Sequence, residues 1–170
     1  MREARLMPGD PAPWFRARSS SAPFFNIDAA AGRWLALTFV DSSKGPRQDL
    51  TIGEIRALSG IFDDIDASWY IITADPGDEH PERLPLRTPG IRAIFDAKRE
   101  IRGLYRINAW GALPVSVILT PQLSVAATIA AGAPNQHAQA LTRVIAARPD
   151  ISTLLYETRG LPAFHHTECP

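Results

Sequence analysis

The sequence predicts an α/β fold, a mixed sheet flanked by helices, and three observations predict it. Two nearly continuous apolar runs, "RWLALTFV" (Arg33 to Val40) and "SWYIITAD" (Ser68 to Asp75), read as strands buried on both faces. Between them "TIGEIRALSGIFDDI" has helical spacing, which makes a strand, helix, strand unit and hence a right-handed crossover joining a parallel pair. Further on, "PVSVILT" and "SVAATIA" flank the short "PQL", a turn of hairpin length.

Each element has its own justification. Gly32 supplies the turn before the first strand, and the Ser, Gly and Pro of "SSKGP" end it. Thr51 and Glu54 then have the capping-box spacing that satisfies two free amide donors at a helix start, and Ile52, Ile55, Leu58, Phe62 and Ile65 line one face. Residues 76–89 are a Pro-, Gly- and charge-rich loop. "IRAIF" is a short extended piece, and "KREIRGLYRI" sets Ile101, Leu104 and Tyr105 on one helical face. The closing "NQHAQALTRVIAA" is a helix with Asn135 as its N-cap and Leu141, Val144 and Ile145 inward. Two parallel strands with a crossover helix, a further helix, a hairpin and a closing helix make the thioredoxin-like order.

Length and composition bound the rest. A chain of 170 residues suits one domain, expected over 1–158, with 159–170 as a C-terminal tail or linker. Eighteen basic residues balance eighteen acidic ones, so no global field favours nucleic acid or a membrane surface. The single cysteine, Cys169, allows no internal disulfide and no CxxC pair, which fits a reducing, cytoplasmic setting. The start "MREARLMPGDPAPWF" has no apolar signal region, and no run approaches the roughly eighteen apolar residues of a membrane span, so a soluble, unexported protein is expected.

Several segments carry a family likeness. "PGDPAPWF" resembles the opening signature of peroxiredoxins of the AhpC/TSA type, "GRWLALTFV" their first long strand and "YIITADPGDE" the strand ending in Asp. "IFDAKREIRGLYRI" is similar to their Asp and Tyr-Gly segment, and "VSVILTPQLSV" to their final hairpin. The likeness covers about Leu6 to Ile145 and implies a peroxiredoxin-like version of the thioredoxin fold.

In that family a cysteine thiolate at the first turn of a helix attacks peroxide, its pKa lowered by amide donors and the helix dipole. Counting onward from Phe39 and back from Asp75 both place that position at Gln48, within "FVDSSKGPRQDL". The same register puts Asp41 in place of a proline, Gly45 in place of a threonine and Pro114 near the expected arginine. A carboxamide supplies no thiolate and forms no sulfenic acid, so Gln48 cannot reduce peroxide in that way. The resemblance therefore implies a cysteine-less, catalytically inactive relative acting in binding or assembly, without cofactor or metal. Its expected partners are a second copy, as a homodimer, or an adjacent catalytic domain such as a 2-oxoglutarate and iron dependent oxygenase. The rival is a divergent oxidoreductase with a non-standard site that uses Cys169 of a partner chain or a bound metal.

Lys44, Arg47 and Gln48 are the candidate ligand-binding residues, since they stand near a helix start. His165, His166, Glu168 and Cys169 are too closely packed for a structural zinc site, and His80 and Glu82 read as a solvated loop, with His137 a distant third candidate. The run Arg83, Arg87, Arg92, Lys98, Arg99, Arg102 and Arg106 reads as a solvated face. Trp14, Phe15, Phe24, Phe25 and Trp34 read first as core and second as an apolar interface.

Overall fold

A computed structural model describes residues 4–44, 60, 62–80, 83, 90–130 and 134–147. Near the N-terminus, β1 (Arg16–Ala17) and β2 (Phe25–Asn26) pair antiparallel as a small hairpin. The main sheet comprises β3 (Trp34–Val40), β4 (Ala67–Thr73), β5 (Ile91–Phe95), β6 (Val115–Leu119) and β7 (Val125–Ile129). Its order is β5-β4-β3-β6-β7. β3 and β5 both run parallel to β4, whereas β6 is antiparallel to β3 and to β7. The described α-helices are α1 (Glu100–Leu104) and α2 (Pro134–Ala147). This is the expected α/β, thioredoxin-like mixed sheet. The crossover helix expected from Thr51 lies outside the described residues.

Every residue of β3 and β4 is buried, which is why these strands read as unbroken apolar runs. Their alternate side chains divide between two cores. Leu35, Leu37, Phe39, Tyr70 and Ile72 meet Phe15, Ile27 and Tyr105 on one face. Trp34, Ala36, Val40, Trp69 and Ile71 meet Leu141 and Ile145 of α2 on the other. Each fully buried Leu or Ile contributes roughly 2 kcal/mol. The polar atoms inside are paired: the Trp69 indole donates to Thr38 Oγ1 at 2.8 Å, and Thr38 and Ser116 share a 2.7 Å hydroxyl contact.

The N-terminal segment covers both edges of the sheet. Ser19 bridges Ile94 on β5, with Phe95 N–H donating to Arg18 O and Ser20 N–H to Ala93 O. Across the molecule Pro11 bridges Ser124, and Gly9 N–H and Val125 N–H exchange bonds with Val125 O and Asp10 O.

Some expectations need correction. Ile65 is 76% exposed rather than inward, because the Asp63 carboxylate accepts the amides of Ile65, Asp66 and Ala67 and turns the chain into β4. Leu104 is 47% exposed: Ile101 and Tyr105, four apart, take the buried face of the short α1. Helix α2 begins at Pro134, so Asn135 lies inside its first turn, and proline suits that first position because its missing N–H would be unpaired there anyway. "IRAIF" is a full third parallel strand. The aromatic N-terminal quarter divides: Phe15 and Trp34 are core, Phe25 is partly buried, and Trp14 and Phe24 are 68% and 67% exposed. No helix among the described residues is long and apolar enough to cross a membrane.

Candidate functional site

The parallel pairing of Val40 with Thr73 brings the C-terminal ends of β3 and β4 side by side. Crevices beyond strand C-termini are where open α/β sheets place ligands. From β3 the chain continues into Asp41, Ser42, Ser43 and Lys44. From β4 it enters a 3₁₀ turn, Pro76–Glu79, whose N-cap Asp75 accepts the Gly77 amide at 2.8 Å.

Side chains lock the two loops together. Ser42 Oγ donates to Asp75 Oδ2 at 2.6 Å, and Arg83 Nη2 donates to the same carboxylate oxygen at 2.7 Å and to Ser42 Oγ at 3.1 Å. The Ser42 hydroxyl and the Gly77 amide, with the Arg83 guanidinium, hold the Asp75 carboxyl down at about 2. The Asp78 side chain is wholly buried. It accepts from Ser43 N–H (2.7 Å), Ser43 Oγ (2.5 Å) and Thr73 Oγ1 (2.5 Å), with Arg83 Nη2 at 3.2 Å. A carboxylate out of water needs this density of donors.

Beside this clasp, Arg102 of α1 reaches under β3. Its Nη2 donates to Val40 O at 3.0 Å and its Nη1 to Asp41 Oδ1 at 2.8 Å. The Arg102 side chain is only 7% exposed against 56% for Asp41. Asp96 fixes the start of α1, its two oxygens accepting Ile101 N–H and Arg102 N–H. Leu113-Pro114 is cis, and Pro114 is buried immediately before Val115, which pairs with Phe39.

Of the positions singled out from the sequence, the structure brings Asp41 and Pro114 to the same end of β3, and Lys44 is exposed there, its N–H donating to Ser42 Oγ at 3.0 Å. Gly45, Arg47 and Gln48 lie outside the described residues, as do Glu82 and residues 148–170. Sequence reasoning missed Thr73, Asp78, Arg83 and Arg102 as members of one site. The expectation of a solvated basic face holds for Lys98 and Arg99, which are exposed, and is corrected for three others: Arg102 is buried against Asp41, Arg83 joins the clasp and Arg92 grips Asp64 with two nitrogens. The signal for them was the basic run itself, with no sign of which guanidinium turns inward.

A cleft of about 190 Å³ opens beside β5, where Arg16, Arg18 and Lys98 face Glu79, Asp96 and Glu100. Arg18 and Glu79 are ion-paired across it.

No family model matches the chain, and no curated protein does. Solved structures do. A peroxidoxin, BcpB, of Mycobacterium tuberculosis superposes with a TM-score of 0.71 at 15% identity, over 86% of this chain and 100% of that one. The bacterioferritin comigratory protein of Xanthomonas campestris, whose structures concern alkyl peroxide reduction, gives 0.67 at 18% identity, over 78% and 90%. A putative thiol:disulfide interchange protein, DsbE, of Chlorobium tepidum gives 0.66 at 20% identity, over 84% and 98%. The likeness establishes a peroxiredoxin-like thioredoxin fold. The term cysteine-less, in contrast, does not hold for this chain: Cys169 is present, and a thiol can be oxidised wherever it stands, whatever residue occupies position 48.

Proposed function

We propose that the chain is a peroxiredoxin-like domain that has left thiol peroxide chemistry and works as a binding or assembly module. One observation carries the reading: at the C-terminal ends of β3 and β4 the polar side chains are engaged with one another. Ser42 and Ser43 donate hydrogen bonds to Asp75 and Asp78, and Asp41 is held by Arg102, so these groups are committed to joining the loops, and residues 41–44 include no cysteine. Gln48, at the position where the family register expects the thiolate, supports the same reading. Lys44, Arg47 and Gln48 are the residues we assign to whatever small ligand this loop takes. The domain spans 1–158, and 159–170 leads out of it towards a neighbour, a 2-oxoglutarate and iron dependent oxygenase being the neighbour the sequence resemblance suggests. A reducing, cytoplasmic setting suits its single thiol.

The test is peroxide consumption with a thiol reductant by the wild type, Cys169→Ser and Gln48→Cys. No turnover is expected in any of the three, because a cysteine at position 48 would lack the threonine and arginine of the family pocket. Turnover lost on Cys169→Ser overturns the reading in favour of a divergent oxidoreductase. Turnover gained by Gln48→Cys, with a thiol pKa well below about 8.5, overturns the account of the loop.

A further inference from the structure

The cleft of about 190 Å³ beside β5 is lined by charges that the fold leaves unneutralised. It opens at the C-terminal end of a parallel strand, where α/β sheets place their ligands. Residues 16–18 bring only cations to it, Arg16 and Arg18, whereas residues 95–101 bring Asp96 and Glu100 with Lys98 between them, and Glu79 reaches it from the 3₁₀ turn. Asp96 is the unusual member. It is only 6% exposed, yet it makes no ion pair among the described residues, and neither do Lys98 and Glu100. A carboxylate out of water calls for donors or a counter-ion. The Ile101 and Arg102 amides use two of its roughly four acceptor positions, one on each oxygen, and leave a buried negative charge lining the cleft with no cation on it.

The lining names the occupant. In so small a space a bare anion would meet Asp96 and Glu100, and a bare cation would meet Arg16, Arg18 and Lys98. No group of His, Cys, Asp and Glu among the described residues could hold a metal ion. A molecule that carries one charge of each sign answers both sets. The volume lies below the roughly 300–1,000 Å³ of pockets for drug-sized ligands, which restricts the occupant to a small metabolite. Ala17, Phe95 and Ile101 add apolar lining suited to a short hydrocarbon side chain. The Arg18–Glu79 ion pair lies at the surface, with side chains 62% and 36% exposed, so a ligand carboxylate can take the place of Glu79 on Arg18 at little cost.

We infer that this cleft binds a free α-amino acid with a small apolar side chain, as its zwitterion. Asp96 and Glu100 take the ammonium group, and Arg18 takes the carboxylate, for which a guanidinium offers a matching fork of donors. The site shares no residue with the Lys44, Arg47 and Gln48 assignment and does not depend on it.

A heteronuclear NMR titration of the full chain with L-valine, followed on the amide signals of residues 95–101, tests the inference and shows at once whether each variant folds. The wild type should bind L-valine with a Kd below about 1 mM. N-acetyl-L-valine, which lacks the ammonium, and L-valinamide, which lacks the carboxylate, should each bind about tenfold more weakly. Arg18→Gln should weaken L-valine about tenfold and leave L-valinamide unchanged, while Glu100→Gln should weaken L-valine and leave N-acetyl-L-valine unchanged. This matching of residue to ligand group is decisive, because a merely structural change would weaken all three ligands alike. No shift with L-valine at millimolar concentration, shifts that map away from residues 95–101, analogues that bind as tightly as L-valine, or variants that weaken every ligand equally or none would overturn the inference. Each of those results leaves the peroxide experiment untouched, and peroxide turnover would leave this site standing.

Discussion

The two ends of the central sheet are built from the same residue types and behave differently. At the N-terminal ends of β3, β4 and β5, Asp64 is gripped by Arg92 Nη1 and Nη2 at 2.6 and 2.8 Å and also accepts from Ser68 Oγ and Gly90 N–H. Arg33 completes the group with bonds to Ser68 Oγ and the Tyr70 hydroxyl. At the opposite end, three carboxylates (Asp41, Asp75 and Asp78) share two guanidiniums. The two buried side-chain nitrogens without a hydrogen-bond partner among the described residues, Arg83 Nε and Arg102 Nε, are both at this second end. An unsatisfied buried donor costs about 1–3 kcal/mol. The sheet thus keeps its saturated cluster at one end and its under-satisfied polarity at the end where α/β folds hold their ligands.

Asp78→Ala should break the comparison most severely. It removes a wholly buried carboxylate and strands Ser43, Thr73 and Arg83 together, and urea unfolding should show a loss of about 3–5 kcal/mol. A loss below about 1 kcal/mol would mean that the clasp does not hold the loops.

Next in size is a pair of glycine substitutions. A Cβ on Gly90 would stand 2.0 Å from the Phe62 carbonyl oxygen at φ +87°, so backbone must move, and Gly90→Ala should cost about 3 kcal/mol. A Cβ on Gly77 would stand 2.0 Å from Arg83 Nη1, a side-chain end that retreats by loosening its bonds to Ser42 and Asp75 rather than by moving backbone, and Gly77→Ala should cost about 1 kcal/mol. Equal costs in the same urea assay would remove the distinction between a rigid end and a yielding one.

Acid titration gives a smaller effect. The Arg92 guanidinium, with the Ser68 hydroxyl and Gly90 amide, lowers the Asp64 carboxyl from 3.8 to about 2. A folded value below the unfolded one means that this stabilisation is complete above roughly pH 5 and drains away as pH falls through 4 towards 2. Its full extent is about 2 kcal/mol. Urea unfolding at pH 7, 4 and 2 should show it, and Asp64→Asn should flatten that part of the profile; an unchanged slope would exclude Asp64 as the source.

The sheet's centre was legible because β3 and β4 are buried on both faces and say so in every residue. β5 was legible only as an extended piece, five residues between a charged loop and a helix start. β1 and β2 have two residues each, too short for any periodicity. Ile65 continued a helical spacing, but the Asp63 turn ends it locally, and side-chain caps of that kind do not alter a hydrophobic pattern. For the site, family register located Asp41 and Pro114 because both stand next to strands. Arg102 was hidden within a basic run: its meeting with Asp41 joins residues 61 apart in sequence, and a lone chain does not show which guanidinium turns inward.

The cover that residues 9–20 place over both outer strands also sets an order of events. These residues are synthesised well before their pairing partners, Ser124 and Ile94. Loop closure over such spans is entropically costly until the rest of the sheet has assembled, so the N-terminal segment docks as a late latch on a nearly finished core. Before it docks, β5 and β7 are bare edges able to pair with other chains; the opening segment acts as the molecule's own guard against aggregation.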